Sequence, residues 1–165
     1  MVHNLHVRRL PGSEAGSLID TLAGPEDRLW PAGSWPPMRF DRPLATGATG
    51  GHGPVRYRVE SYTPGRSIRF RFSAPRGFDG FHEFSTATPG PEATELRHVL
   101  VLRSRFPAWI TYPLFWRPLH DALIEDCLDQ AERAVTGGVR APARWPPYVR
   151  LLRGLIGRRA SPSRR

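Results

Sequence analysis

The most regular pattern in the chain lies in GHGPVRYRVESYTPGRSIRFRF (residues 51–72), followed by GFDGFHEF (77–84). Apolar residues alternate with arginine and glutamate along it, first through Val55, Tyr57 and Val59. Strict alternation is typical of strands that pack one face and expose the other. The sequence therefore predicts an antiparallel sheet covered on one side.

The turn between the first two strands predicts how they pair. A two-residue loop at Pro64-Gly65 places Val59 opposite Phe70 and Tyr57 opposite Phe72. Residues that face each other in a hairpin point to the same side of the sheet. This pairing therefore collects the apolar side chains of both strands on one face.

The third strand follows a loop over residues 73–77. Phe72 is expected opposite Phe78, which directs His82 and Phe84 to the packed face. A loop of the other parity buries the two carboxylates of this strand, which is costly without partners. The carboxylates are therefore expected on the outer face.

The last hairpin is expected to turn at residues 89–91. Continuing its register sets Phe84 against Leu96 and His82 against His98. Two histidines are then neighbours on the packed face of the sheet.

After residue 105 the apolar period changes to three and four residues, as in an amphipathic helix that begins near Pro118 and ends at Gly137-Gly138. Its apolar side carries Leu119, Leu123, Cys127, Ala131 and Ala134. The opposite side, expected to face solvent, carries Asp121, Glu125, Asp129 and Glu132.

The chain before the hairpins contributes smaller elements. It predicts a strand over residues 3–10, a short helix after Ser13 and a short strand over residues 38–42. The glycine-rich connection over residues 47–53 lacks the lysine and the following helix of a phosphate-binding loop. We expect it to be a flexible loop.

Four runs resemble the SRPBCC superfamily, which includes START-type lipid carriers and bacterial polyketide cyclase/dehydrase-like proteins. These runs are residues 51–72 and 77–84, ELRHVLVLR (95–103) and PLHDALIEDCLDQAE (118–132). The resemblance covers roughly residues 1–136. It implies the α+β helix-grip fold (Bet v 1-like or START-like), with a curved antiparallel sheet wrapped around a long C-terminal helix and a hydrophobic cavity between them. The superfamily shares no universal catalytic signature.

Our first hypothesis for function is the binding of a hydrophobic or amphipathic small molecule, lipid- or polyketide-like, in that cavity. Apolar side chains supply affinity by burial, and histidine or tyrosine sets the orientation. The candidate lining residues are Tyr57, Val59, Phe70, Phe72, His82, Phe84, His98, Leu100, Trp116, His120 and Leu123.

A second hypothesis is an enzyme of the cyclase/dehydratase kind, in which His82 or His98 moves a proton near neutral pH. The alternative is that these histidines are core residues bonded to each other, to tyrosine hydroxyls or to water. Adjacent helical residues diverge by about 100°, so Asp121 is expected at the surface rather than beside His120. No metal site is expected, because no acidic residue on these strands shares the inward side with the histidines. No cofactor is expected, and the sequence has no dinucleotide-binding fingerprint.

The charge divides the chain into two parts. All 24 basic residues are arginine, and eight of them follow Gly138, where there is no acidic residue. We therefore expect a ligand-binding domain over residues 1–137 and a Pro/Arg-rich tail over residues 138–165.

The tail predicts a short basic amphipathic helix over residues 148–159, with an apolar stripe of Tyr148, Leu151, Leu152, Leu155 and Ile156. This helix is expected either to dock on the parent domain or to lie on an anionic membrane surface, a third hypothesis for function. Nucleic acid is not an expected partner, because features for base stacking and groove reading are absent. A single cysteine, Cys127, excludes an intramolecular disulfide, and the start lacks an apolar leader. These features predict a cytoplasmic protein, with peripheral membrane contact as the alternative.

Overall fold

The computed structural model describes residues 1–90 and 92–160, and in them one antiparallel sheet has the strand order β1-β7-β6-β5-β4-β3-β2. The strands are β1 (Val2–Pro11), β2 (Arg39–Phe40), β3 (Thr49–His52), β4 (Val55–Thr63), β5 (Ser67–Ala74), β6 (Phe78–Gly90) and β7 (Ala93–Ser104). The helices are α1 (Ala15–Asp20), α2 (Ala108–Thr111), a π-helical turn (Tyr112–Trp116), α3 (Arg117–Thr136) and α4 (Pro147–Ala160). The fold is therefore α+β, with one long helix, α3.

The β4–β5 hairpin keeps both predicted apolar pairs, including Val59 opposite Phe70. The predicted two-residue loop is wrong, because Thr63 pairs with Ser67 and the loop contains three residues. An irregularity between Val59 and Ser61 absorbs the additional residue. The apolar face of the hairpin is unchanged.

The predicted register of β6 is wrong by two residues on both sides. His82 lies opposite Phe70 and Leu100, and Phe84 lies opposite His98. The cause on the β7 side is that Gly90 pairs with Ala93, together with an irregularity between Ala87 and Gly90. The predicted turn includes Pro91, which lies outside the described residues. Because side chains alternate with a period of two, a shift of two residues leaves every side chain on its predicted face.

The glycine-rich connection is not the flexible loop expected from its composition. It contains β3, which pairs with both β2 and β4. A Cβ atom at Gly51 would lie 2.0 Å from the carbonyl oxygen of Val55, and one at Gly50 would lie 2.1 Å from that of Arg39. Glycine is needed here because neighbouring backbone approaches too closely for a side chain.

The N-terminal strand is confirmed, but two of its apolar residues face outward. Leu5 and Val7 are exposed, whereas Asn4, His6 and Arg8 face α3. A polar row therefore lies between the edge strand and the long helix.

The acidic side of α3 does not face solvent as expected, since Asp129 and Glu132 are each only 7% exposed. Arg8 donates to Asp129 Oδ1 at 2.8 Å and to Glu125 Oε2 at 3.3 Å, and it also pairs with Glu132. The prediction failed because β1 supplies a cation where solvent was expected. The ends of α3 agree with the sequence, and Gly137 closes the helix with φ +78°.

Candidate functional site

A cavity of about 410 Å³ lies between the packed face of the sheet, α3 and the π-helical turn. This volume is within the range of sites for drug-sized molecules. Its wall is mostly aromatic and aliphatic. The lining residues are Trp30, Trp35, Pro36, His52, Pro54, Val55, Phe72, Phe78, His82, Phe84, Leu100, Thr111, Tyr112, Phe115, Trp116, Leu119, His120, Leu123, Ile124 and Arg153.

The structure divides the predicted lining residues into two groups. Those that line the cavity are Phe72, His82, Phe84, Leu100, Trp116, His120 and Leu123. Those that lie in the core outside it are Tyr57, Val59, Phe70 and His98. A role of either group in binding a ligand remains a prediction.

Three of the four core residues, Tyr57, Phe70 and His98, pack against rings that line the cavity. The His82 ring stacks on Phe70 at 4.9 Å and on Phe72 at 5.2 Å between centroids. The ring of Phe40, from β2, also packs against this group, with its centroid 5.7 Å from that of Phe70 and 5.9 Å from that of Tyr57. Sequence parity identifies which side chains point inward, but it does not identify which of them a second layer covers.

His82 and His98, called here the histidine pair, are both buried and hydrogen-bonded to each other. Nδ1 of His82 lies 3.2 Å from Nε2 of His98. Burial lowers the pKa of both imidazoles well below the usual value, because desolvation penalises the charged form. Both rings are therefore neutral near pH 7, and one donates its N–H to the other.

Polar atoms without a hydrogen-bond partner lie on or near the cavity wall. Among the described residues, the buried Tyr112 Oη and His120 Nε2 have no partner, and both residues line the cavity. Tyr57 Oη and His98 Nδ1 are also unpartnered in the core. A buried polar group without a partner costs free energy, so a ligand with complementary groups at Tyr112 or His120 is favoured.

Two tryptophans that the sequence pattern does not predict line the cavity, Trp30 through a local contact and Trp35 through a contact with α3. The carboxylate of Asp27 accepts the backbone N–H of Trp30 at 2.8 Å and so positions that residue. Asp126 of α3 accepts the indole N–H of Trp35 at 2.7 Å and that of Trp145 at 2.8 Å. These contacts have no periodic signal in the sequence.

The tail helix docks on the rest of the chain, one of the two alternatives that the sequence left open. The predicted apolar stripe is not the docking face, because Leu151 and Leu155 are exposed and only Leu152 of its described residues is buried. Val149 and Leu152 are 1% and 5% exposed, and Tyr148 Oη donates to the carbonyl of Leu114 at 2.7 Å. The side chains of residues 156–160 lie outside the described set. Contact with a membrane surface remains a prediction.

Docking of α4 brings a guanidinium to the cavity. The charged end of Arg153 lies 4.4 Å from the ring centroid of Trp35 and 5.5 Å from that of Trp145. Arg153 lines the cavity, and its Nε atom is buried without a partner. Burial lowers its pKa, although an arginine remains charged at neutral pH.

The expectation that Asp121 lies apart from His120 is wrong. Its Oδ1 atom is 3.2 Å from Nδ1 of His120 and accepts a hydrogen bond from Asn4 Nδ2 at 2.7 Å. His6 also approaches it, with Nε2 at 3.5 Å. Two side chains of β1 thus hold the carboxylate beside His120, so an acidic group does accompany the histidines.

No helix in the described ranges has both the length and the apolar character needed to cross a membrane. No protein-family model matches the chain, and no curated protein matches it in sequence.

Solved structures do match the fold. XoxI from Bacillus cereus is similar at 11% identity over 82% of this chain and 96% of that chain, with a TM-score of 0.60. Norcoclaurine synthase from Thalictrum flavum, as a point mutant with a transition-state analogue, is similar at 12% identity over 82% of this chain and 96% of that chain, with a TM-score of 0.55. CalU16 from Micromonospora echinospora is similar at 15% identity over 95% of this chain and 84% of that chain, with a TM-score of 0.52.

At these identities the likeness concerns the fold alone. Norcoclaurine synthase and CalU16 have folds of the Bet v 1/SRPBCC type. The structural likeness therefore supports the predicted type of fold, and membership of that superfamily remains a prediction. The chain has the α+β architecture of helix-grip neighbours, a seven-stranded antiparallel sheet with one long helix in the part that the structure describes.

Proposed function

We propose that this protein binds a hydrophobic or amphipathic small molecule in the cavity between the sheet and α3. The observation that carries the proposal is the cavity of about 410 Å³ with its largely aromatic wall. Water in such a space makes few hydrogen bonds, and its displacement by apolar surface contributes about 25 cal/mol per Å². A solved structure of norcoclaurine synthase with a transition-state analogue supports small-molecule binding by this type of fold.

The charged and polar groups favour an amphipathic ligand. Arg153 provides the positive charge of the cavity wall, and Tyr112 and His120 offer unpartnered polar atoms. A molecule with an apolar body and an anionic or hydrogen-bonding end satisfies these groups. In this proposal residues 1–137 form the ligand-binding unit. The tail, residues 138–165, contributes Arg153 to the cavity wall.

Native mass spectrometry of the purified protein tests for a co-purified apolar molecule. Titration with the fluorescent probe 1-anilinonaphthalene-8-sulfonate then measures binding directly. Leu123→Trp places an indole in the cavity and is expected to weaken probe binding at least tenfold. Val7→Trp, at an outward position that is 43% exposed, is the matched control. Equal affinity of the folded Leu123→Trp variant and the control refutes binding in this cavity.

The polar end of the ligand is tested with a charged and an uncharged probe. Arg153→Met is expected to weaken the sulfonate probe several-fold and to leave N-phenyl-1-naphthylamine unchanged. Arg150→Met, an exposed position on the same helix, is expected to change neither. A parallel loss of both probes in Arg153→Met contradicts the role of its charge.

A second candidate function is acid–base catalysis on a polycarbonyl substrate. The histidine pair favours it, because His82 lines the cavity as a neutral imidazole and His98 bonds to it. A short poly-β-carbonyl thioester is the test substrate, and mass spectrometry detects cyclisation with loss of water. His82→Gln and His98→Gln are expected to abolish product formation, and His3→Gln, on the outer face of β1, to retain it. Product formation by both folded pair variants refutes this function.

A further inference from the structure

A cluster of two histidines and one carboxylate lies between β1 and α3, beside the cavity. Among the described residues, His6, His120 and Asp121 each offer a ligand atom, and these atoms all lie within 4.8 Å of one another. The cluster joins distant parts of the chain, since His6 is on the N-terminal strand and the other two residues begin the long helix. None of its three residues belongs to the histidine pair, His82 and His98.

The two distances from Asp121 to the histidines match the spacing of ligand atoms around a small metal ion. Asp121 Oδ1 lies 3.5 Å from Nε2 of His6 and 3.2 Å from Nδ1 of His120. Zinc binds imidazole nitrogen at about 2.0–2.1 Å and carboxylate oxygen at about 2.0–2.2 Å in tetrahedral geometry. Those bond lengths place neighbouring ligand atoms roughly 3.3–3.5 Å apart. Both distances are close to this separation.

The surroundings also resemble the outer shell of a metal site. Glu125 Oε1 lies 2.7 Å from Nδ1 of His6 and directs the opposite nitrogen of that ring toward Asp121. The Nε2 atom of His6 is buried without a hydrogen-bond partner, which leaves it available as a ligand. Asn4 donates to the Asp121 carboxylate at 2.7 Å. A carboxylate behind a ligating histidine and a hydrogen bond to a ligating carboxylate are recurrent features of zinc sites.

We propose that His6, His120 and Asp121 form a binding site for a first-row divalent metal ion, with zinc the best match. Two imidazoles favour zinc over magnesium or calcium, which prefer oxygen ligands. Three protein ligands leave one coordination position for water or a bound molecule. Because His120 also lines the cavity, the ion lies next to the proposed ligand site.

The competing explanation is a protonated His6 held as an ion pair by Asp121 and Glu125. A calorimetric titration with Zn²⁺ distinguishes the metal site from this ion pair. It uses tag-free full-length protein that has been treated with a chelator and dialysed. One equivalent is expected to bind, and Co²⁺ in its place is expected to give the absorption of a tetrahedral site. Absence of a bound equivalent in the wild-type protein overturns the proposal.

Variants assign the ligands. His6→Asn and His120→Asn are expected to weaken Zn²⁺ binding at least tenfold, and Glu125→Gln about tenfold through the orientation of His6. His3→Asn, on the exposed face of the same strand, is the control and retains affinity. If a ligand variant fails to fold, the comparison of Glu125→Gln with the control decides. Equal affinity in that comparison, or in folded His6→Asn, overturns the assignment.

Discussion

Replacement of Arg8 by alanine tests whether the polar row between β1 and α3 holds the fold together. Arg8 contacts three carboxylates of α3, and two of these, Asp129 and Glu132, are buried. The substitution removes the cation and leaves those charges in a position that water reaches poorly. The expected result is a large loss of stability, because a buried charge without its partner is costly.

The size of the loss follows from what still holds the two carboxylates. Removal of one partner from a buried ion pair costs about 3–5 kcal/mol. Asp129 continues to accept the backbone N–H of Ala143 at 2.7 Å, and Glu132 that of Arg140 at 3.1 Å. We therefore expect the lower end of the range, about 3 kcal/mol, for Arg8→Ala. For a chain of this length that is a decrease in Tm of roughly 6–12 °C.

Urea denaturation at pH 7 measures this loss, with Arg97→Ala as the matched control. Arg97 pairs with Glu95 at 2.7 Å on the surface, and such exposed pairs contribute about 0–1 kcal/mol. A difference of less than about 1 kcal/mol between Arg8→Ala and Arg97→Ala refutes the reasoning. Addition of Asp129→Asn to Arg8→Ala is expected to restore part of the loss, because it removes one of the buried charges.

The contribution of Arg8 to stability is expected to depend on pH. Hydrogen bonds from the Arg140 backbone N–H and from Arg8 lower the pKa of Glu132. A carboxyl whose pKa is lower in the folded state stabilises the protein above its unfolded pKa. That contribution is lost as the pH falls through the folded value. The difference between wild type and Arg8→Ala is therefore expected to shrink on acidification, and an unchanged difference at pH 3 contradicts this assignment.

Three further perturbations follow. Gly16→Ala is expected to lower the free energy of unfolding by at least 1 kcal/mol in urea denaturation, because its Cβ atom would lie 2.0 Å from the Gly65 carbonyl oxygen; Gly33→Ala, which meets no atom within 4 Å, is the control, and equal stability contradicts the close contact. Leu151→Glu, on the exposed side of α4, is expected to reduce sedimentation with anionic vesicles if the tail contacts membranes, whereas Leu5→Glu on β1 leaves it unchanged; no wild-type sedimentation rejects the membrane hypothesis. The lowered pKa values of the histidine pair mean that the unfolded chain binds more protons than the folded protein below about pH 6.5. Stability is therefore expected to fall with acidification by at most about 1.4 kcal/mol per pH unit for each imidazole. Urea denaturation at pH 7 and 5.5 measures this slope, and a His82→Phe or His98→Phe variant that keeps the full slope contradicts this origin.

The sequence predicts the packed face of the sheet more securely than it predicts strand pairing. His82 points inward as expected, although it lies opposite Leu100 and not His98. The period of two determines the face locally, whereas register depends on turns and bulges that absorb single residues. The two histidines nevertheless meet, because an imidazole bridges the diagonal distance between neighbouring strands.

The cavity depends on contacts that the pattern of one element does not contain. Trp35 and Arg153 belong to a loop and to the tail helix, which no period connects to the sheet. Their position follows from long-range contacts, such as the bond of Trp35 to Asp126. A sequence pattern therefore predicts which side chains point inward, but the shape of the remaining space depends on how distant segments dock.

The acidic row of α3 is a different case, because the sequence does contain its explanation. Residues two apart on a strand lie about 6.6 Å apart on one face, and residues four apart on a helix lie about 6 Å apart along its axis. When a strand and a helix lie side by side, alternate residues of the strand can therefore each contact every fourth residue of the helix. The structure shows three successive contacts of this kind: Asn4 with Asp121, His6 with Glu125, and Arg8 with Asp129. Acidic residues spaced four apart on a helix therefore predict a solvent-exposed face only when no strand of the chain carries polar residues spaced two apart. Here β1 carries them, and their pairing brings His6 to His120.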